Sequence, residues 1–215
     1  MKKNILFLIC IGFFPFILFA QTTDEFKIHQ VEFGLGGAKS FEKNPFNLTS
    51  GETDVSPDVA INFGYYYHHT EDIALCFRMY GFVASTPKYV VTTVDGRTLE
   101  TEFDISLFNI GIGGKYIFSR GRIQPYGFLL LNLVSGTMES SSDKSLGTLN
   151  LIGFSFGGGA GVNYMISQNI GISIEATGSS GLANWKQKPF INSTGKDFNP
   201  SMLGILLNAS YYFGN

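Results

Sequence analysis

The chain has 215 residues and a formal net charge of -2, so it carries no basic field for nucleic acid. Charged residues make up only 15%, against roughly a quarter in ordinary soluble domains, while Gly (26) and Phe (21) are abundant. This composition argues against a soluble enzyme and for a barrel that faces lipid outside and packs a narrow interior.

Residues 1–20 read as a secretory signal: Lys2-Lys3, an apolar run over 5–19, then Ala20 before Gln21. The run is short of the roughly 20 residues that a spanning helix needs. Cys10 lies inside it, and Ile9 is not the small residue that would mark a lipoprotein cysteine. The mature chain, 21–215, is then one barrel domain, and Cys76 is its single cysteine. With no disulfide framework and no Cys-x-x-Cys spacing, Cys76 reads as a packed thiol.

After a short tail, a strand is expected over residues 27–39, with Val31, Phe33 and Leu35 on one side and Gln30, Glu32, Gly34 and Gly36 on the other. A polar segment follows over 40–56. The second strand, 58–68, alternates Val59, Ile61, Phe63, Tyr65 and Tyr67 against Ala60, Asn62, Gly64 and Tyr66. Residues 73–118 then form one long hairpin around Asp95-Gly96, a pair suited to a two-residue type I′ turn. With Val94 opposite Arg97, Ile73 faces Phe118, Leu75 faces Tyr116 and Met79 faces Ile112. One side of the hairpin is then apolar, and the other carries Ala74, Cys76, Arg78, Tyr80, Asn109 and Lys115. The apolar side runs about 11 residues per strand, enough to cross a hydrocarbon layer at a tilt of about 45°. From residue 85 to 101 the pattern turns polar, so the tip projects beyond the layer.

A fifth strand, 123–137, carries Tyr126, Phe128 and Leu130 on one side and alternates poorly, because Leu129 and Leu131 lie on the other. A polar loop is expected over 138–145. The sixth strand, 148–166, sets Ile152, Phe154 and Phe156 against Gly153, Ser155 and Gly157. The seventh, 170–182, sets Ile170, Ile172 and Ile174 against Gly171, Ser173 and Glu175. A polar segment over 183–199 precedes the last strand, 201–213, where Leu203, Ile205 and Leu207 oppose Gly204, Asn208 and Ser210. Long and short connections alternate, as in an all-β, eight-stranded antiparallel up-and-down transmembrane β-barrel with both termini on the periplasmic side.

Alternation alone also fits a soluble lipocalin-like barrel. Against that, the polar face is mostly Gly, Ser and Asn, and the charges gather in the loops. Tyr65, Tyr67, Tyr116, Phe118, Tyr126, Tyr164, Tyr211 and Phe213 cluster beside the short turns or the C-terminus. They are expected to form a girdle at one membrane interface.

The signal, the eight alternating strands and the ending Tyr211-Tyr212-Phe213-Gly214-Asn215 resemble small outer-membrane β-barrel proteins of the OmpA/OmpX type. The Phe19-Ala20-Gln21 junction is similar to versions from Bacteroidota-like bacteria. The resemblance implies outer-membrane localisation and contact with outer-membrane lipid and lipopolysaccharide. It also implies recognition of Phe213, with Tyr211 two before it, by the barrel-insertion machinery. The trailing Gly214-Asn215 departs from the strictest form of that signal.

Glu32, Arg78, Lys115 and Glu175 are inward by phase and near one level. Charges buried in so narrow a lumen must pair. A salt-bridged plug is expected, with Asn62, Asn109, Asn163 and Asn208 completing its hydrogen bonds; a gate or narrow conduction path is the alternative use of the same residues. Enzymatic barrels, such as the lipid A deacylase, palmitoyltransferase and omptin protease families, use a His towards the outer rim. His29, His68 and His69 all fall at the periplasmic end, so those mechanisms lack their base. The Gly runs are followed by no Lys-Ser/Thr and helix, so they are not phosphate loops; no cofactor or metal motif is present. Outer segments remain as binding candidates, with Trp185, Lys186, Lys188 and Phe190 suited to sugars or lipid phosphates. The sequence thus points to a non-enzymatic outer-membrane barrel with a packed lumen, acting in envelope structure or in surface interaction and adhesion with a protein or glycan. A narrow porin-like channel and a soluble ligand-binding barrel are the alternatives.

Overall fold

The computed structural model describes residues 27–40, 58–85, 89–92, 96–141, 148–185, 197–198 and 201–214. Its strands are β1 (His29–Ser40), β2 (Asp58–His68), β3 (Ile73–Ser85), β4 (Tyr89–Thr92), β5 (Thr98–Thr101), β6 (Phe103–Ile117), β7 (Ile123–Ser140), β8 (Thr148–Met165), β9 (Ile170–Trp185), β10 (Asp197–Phe198) and β11 (Met202–Phe213). Eight of them close into a barrel in the order β1-β2-β3-β6-β7-β8-β9-β11, and β11 returns to β1. Every pairing is antiparallel, with each barrel strand beside the next one along the chain.

The closure follows from the side-chain period. A strand that alternates apolar and small-polar residues has one face for lipid and one for a tight interior. Leu75 (60% exposed), Phe108 (44%), Phe154 (65%) and Leu207 (66%) point outward. Their chain neighbours Cys76, Asn109, Ser155 and Asn208 are buried. A soluble barrel would bury the first set, so that alternative is excluded. On β7 the outward residues run from Ile123 to Leu133 before Ser135 begins the polar rim. Ten steps at ~3.3 Å, tilted by ~40°, span about 25 Å along the barrel axis, the height of an outer-membrane apolar band.

Three short turns mark the periplasmic end, tied by His69 N–H to Ile73 O (2.9 Å), Phe118 N–H to Pro125 O (2.9 Å) and Ile166 N–H to Ile170 O (2.8 Å). Beside them lie the outward rings of Tyr67, Tyr116, Phe118, Tyr164, Tyr211 and Phe213. Arg122 sits 5.0 Å from the centre of the Tyr164 ring. Tyr126 was expected in this girdle, but it points into the lumen and is buried, as does Phe128. The reason is the phase of β7: Leu129, Leu131 and Leu133 take the lipid face, so Tyr126 and Phe128, an odd number of residues away, must turn inward.

The hairpin register also departs from expectation. Ile73 faces Tyr116, not Phe118, and Leu75 faces Gly114, not Tyr116. The slip is by two residues, so both faces keep their residues. One residue of it is already present at the tip, where β4 and β5 form a separate two-stranded sheet with Thr92 opposite Thr98; the other enters between that sheet and the β3–β6 pair. Gly96 supplies a positive φ of 83° at the tip; Asp95 lies outside the described residues. The outer strands are longer than the polar pattern suggested. β7 runs three residues into the segment expected to be a loop, to Ser140, with Met138 fully buried, and β9 runs on to Trp185.

Candidate functional site

The lumen holds the only concentration of buried charge among the described residues, and four strands supply it. Arg78 (β3) and Glu175 (β9) meet directly, Nη2 to Oε1 at 2.9 Å. The same nitrogen lies 3.8 Å from Glu32 Oε1 (β1). Lys115 Nζ (β6) lies 4.0 Å from Glu32 Oε2. Each of these residues is no more than 3% exposed.

Neutral groups complete the cluster. Arg78 Nε–H donates to Asn62 Oδ1 (3.1 Å), and Asn62 Nδ2–H donates to Glu32 Oε1 (3.1 Å). Tyr66 O–H donates to Glu32 Oε1 (2.8 Å), and Tyr126 O–H donates to Glu175 Oε2 (2.9 Å). Those two rings also flank Lys115, with centres 4.4 and 3.9 Å from Nζ. The Arg78 guanidinium lies 4.5 Å from the centre of the Phe128 ring. Lys115 is thus held less by a carboxylate than by two aromatic faces, whose quadrupoles attract a cation strongly in a dry setting. Glycine makes room for this. A Cβ at Gly161 would stand 2.6 Å from the Tyr126 hydroxyl, and one at Gly159 would stand 2.8 Å from the Phe128 ring.

Of the four asparagines expected to assist, Asn62 bridges the charges and Asn208 bonds to it (3.4 Å). Asn163 sits nearer the periplasmic mouth, donating to Gln124 Oε1 (3.2 Å) and Tyr212 Oη (3.1 Å). Asn109 is buried but bonds to none of the four charges. The roles of Tyr66, Tyr126 and Phe128 were not anticipated. Tyr66 was already on the inward side of its strand, and that phase was the available signal.

Outward of the charges the lumen changes character. Phe82, Leu107, Val134, Leu151 and Leu206 all point inward and are buried at 3% exposure or less. Ile105, Met138 and Met202 lie in the same outer part and are buried too. The interior is therefore a polar middle beneath an apolar outer layer.

The remaining candidates are at the ends. Tyr211 and Phe213 stack on the outer face of β11 with centroids 5.9 Å apart. The His29 ring lies 5.2 Å from that of Phe213, and Tyr65 Oη is 2.9 Å from His29 Nδ1. The backbone seam continues one residue past Phe213, through Ile28 N–H to Gly214 O (3.2 Å). His68 and His69 are likewise at the periplasmic end. Trp185 closes β9 opposite Leu151; Lys186, Lys188 and Phe190 lie outside the described residues.

Three solved structures are similar in fold. OprG from Pseudomonas aeruginosa aligns with a TM-score of 0.56 at 14% identity, over 88% of this chain and 98% of that one. Neisserial surface protein A aligns with a TM-score of 0.53 at 13% identity, over 86% and 97%. Ail, the attachment invasion locus protein of Yersinia pestis, in complex with the heparin analogue sucrose octasulfate, aligns with a TM-score of 0.51 at 14% identity, over 87% and 100%. No curated protein sequence matches the chain. The family model for the outer membrane protein beta-barrel domain matches residues 7–213, and the chain belongs to that family, a set of proteins of the outer membrane.

Proposed function

We propose that this chain is a sealed, non-enzymatic outer-membrane barrel that acts at the cell surface, by binding an extracellular protein or glycan through its outer segments. The observation that carries the reading is the lumen. A paired charge cluster lies beneath a buried apolar layer, and an apolar layer dewets a path for ions. Glu32, Arg78, Lys115 and Glu175 form the structural plug in this reading. Tyr211 and Phe213 are the insertion signal. A signal peptide over residues 1–20 delivers the chain to the periplasm.

The binding surface we assign is the outer segment with Trp185, Lys186, Lys188 and Phe190. Two cations beside two aromatic rings suit a sulfated or phosphorylated sugar, where Lys meets the anion and a ring meets the sugar face. Ail offers a precedent, as a barrel of similar fold crystallised with a sulfated sugar. The test is paired. Planar-bilayer recordings of the mature barrel should show no discrete conductance, and cells displaying it should bind a sulfated glycan that Lys186→Glu/Lys188→Glu cells do not. Reproducible channel steps would favour the narrow-pore alternative. Unchanged glycan binding in the double variant would remove the assigned surface.

A further inference from the structure

On the lipid-facing wall, a groove of about 750 Å³ runs over β8, β9, β11 and β1. Its sides are large and apolar, Ile172 and Ile174 on β9 and Phe33 and Leu35 on β1, all outward and exposed. Ala209 on β11, the small residue paired with both Phe33 and Ile172, forms its floor. The register gives the groove a direction. Tyr164, Ile172, Ala209 and Phe33 form one row of paired residues. Tyr164 is one residue from the periplasmic end of its strand, Ile172 two, and Ala209 and Phe33 four. The row therefore climbs from the head-group level into the membrane, and the neighbouring row ends at Leu207 and Leu35, six residues in. Five residue steps at ~3.3 Å, tilted by ~40°, make a rise of about 13 Å, half of the apolar band. Arg122 sits at the low end. Met165 N–H donates to its carbonyl (2.8 Å), which sets it beside Tyr164, and its Cζ lies 5.0 Å from the centre of that ring. The side chain is exposed and bonds to no carboxylate among the described residues. The described acids of this end, Glu71 and Asp72, act on Arg120 instead.

We propose that this groove seats one anionic phospholipid of the periplasmic leaflet. Its phosphate meets the Arg122 guanidinium, a planar fork of donors that matches phosphate oxygens and that rests on the Tyr164 ring. One acyl chain follows the climbing row over Ala209 and fills the depression between Phe33 and Ile172, where a gap would forfeit dispersion contacts. The head group is selected by charge. An unpaired guanidinium with no acid beside it favours a net negative lipid over a zwitterionic amine, whose ammonium would find no carboxylate there. The proposal is independent of whether the lumen conducts and of what the outer segments bind.

The test is native mass spectrometry of the mature barrel in a neutral detergent, offered phosphatidylglycerol and phosphatidylethanolamine. One phosphatidylglycerol should be retained per barrel, and preferred over phosphatidylethanolamine by roughly tenfold. Arg122→Gln, a change in a turn, should lose the preference. Ala209→Leu, which fills the floor, should lose retention of both lipids while keeping the heat-sensitive gel mobility of a folded barrel. Ala176→Leu, at an outward position of β9 beyond the groove, should leave retention and preference unchanged. Equal retention of the two lipids by the unaltered barrel, or retention that Ala209→Leu does not reduce, would mean an ordinary lipid annulus and overturn the seat. A preference that survives Arg122→Gln would remove the phosphate contact and overturn the assignment. A species of two barrels that Ala209→Leu abolishes would make the groove a contact between copies and also overturn it.

Discussion

Replacing Arg78 with Met removes the cation that Glu175 meets at 2.9 Å while keeping most of the aliphatic bulk over Phe128. Glu175 then keeps only the Tyr126 hydroxyl among the polar contacts described for its carboxylate. Removing one partner of a buried pair typically costs about 3–5 kcal/mol, because a charge is left uncompensated. Replacing both partners by apolar groups of similar volume is often close to neutral. Arg78→Met should therefore lower stability by about 3–5 kcal/mol, and Arg78→Met/Glu175→Met should recover most of that loss. Glu32 and Lys115 stay behind as a charge-balanced pair. The assay is urea unfolding of barrels in lipid vesicles, read by gel mobility without boiling. A double variant as unstable as the single, with a coupling below about 1 kcal/mol, would refute the claim that the pair is fully desolvated and mutually compensating.

Tyr126→Phe keeps the ring beside Lys115 but deletes the donor to Glu175; a loss of about 1–3 kcal/mol is expected in the same urea assay, and Tyr126→Leu should lose more. Two adjacent glycines give an internal control. A Cβ at Gly113 would collide with the Leu129 carbonyl, whereas one at Gly114 meets only Ala74 O at 4.0 Å. Gly113→Ala should sharply reduce the fraction of barrel that migrates as folded, and Gly114→Ala should leave it unchanged. At the tip, Gly96 has a φ of 83°, and a Cβ added there would meet nothing within 4 Å. The cost of Gly96→Ala is therefore one of backbone conformation alone, about 1–2 kcal/mol locally, visible as faster proteolysis of the hairpin with no change in barrel unfolding.

The lipid face was readable because alternation over ten residues leaves few choices, and seven of the eight barrel strands gave the same answer. β7 was the exception. It is apolar on both faces, so its phase could not be read from hydropathy, and Tyr126 was assigned to the wrong side. The cause lies in the lumen: the rings of Tyr126 and Phe128 fill space that Gly159 and Gly161 leave open on the next strand. That complementarity crosses strands and has no signature within one of them. The hairpin register failed for a related reason. Asp-Gly is a sound turn signal alone, but the small sheet at the tip pairs one residue away from the expected register, and a second residue of slip enters between that sheet and the β3–β6 pair. An even shift is invisible to any argument from faces. The four charges were found by phase and level, because ionised residues on an otherwise small, polar face stand out. Asn62 was found in the same way, but Tyr66 was not, since its ring looks like many other inward residues until the distances are known.

The sealed lumen is the central claim, and Cys76 tests it from within. The thiol faces the interior, 4% exposed, packed with Tyr66 and Ala74 below the charge cluster. The barrel would be prepared from Gln21 onward, so that Cys76 is its single thiol, folded into vesicles and exposed to a small, charged, water-soluble thiol reagent. A sealed lumen predicts no modification of the folded barrel over hours and complete modification once urea unfolds it. Rapid labelling of the folded, heat-shifting form would show that water and small ions reach the middle of the barrel, and would contradict the plug.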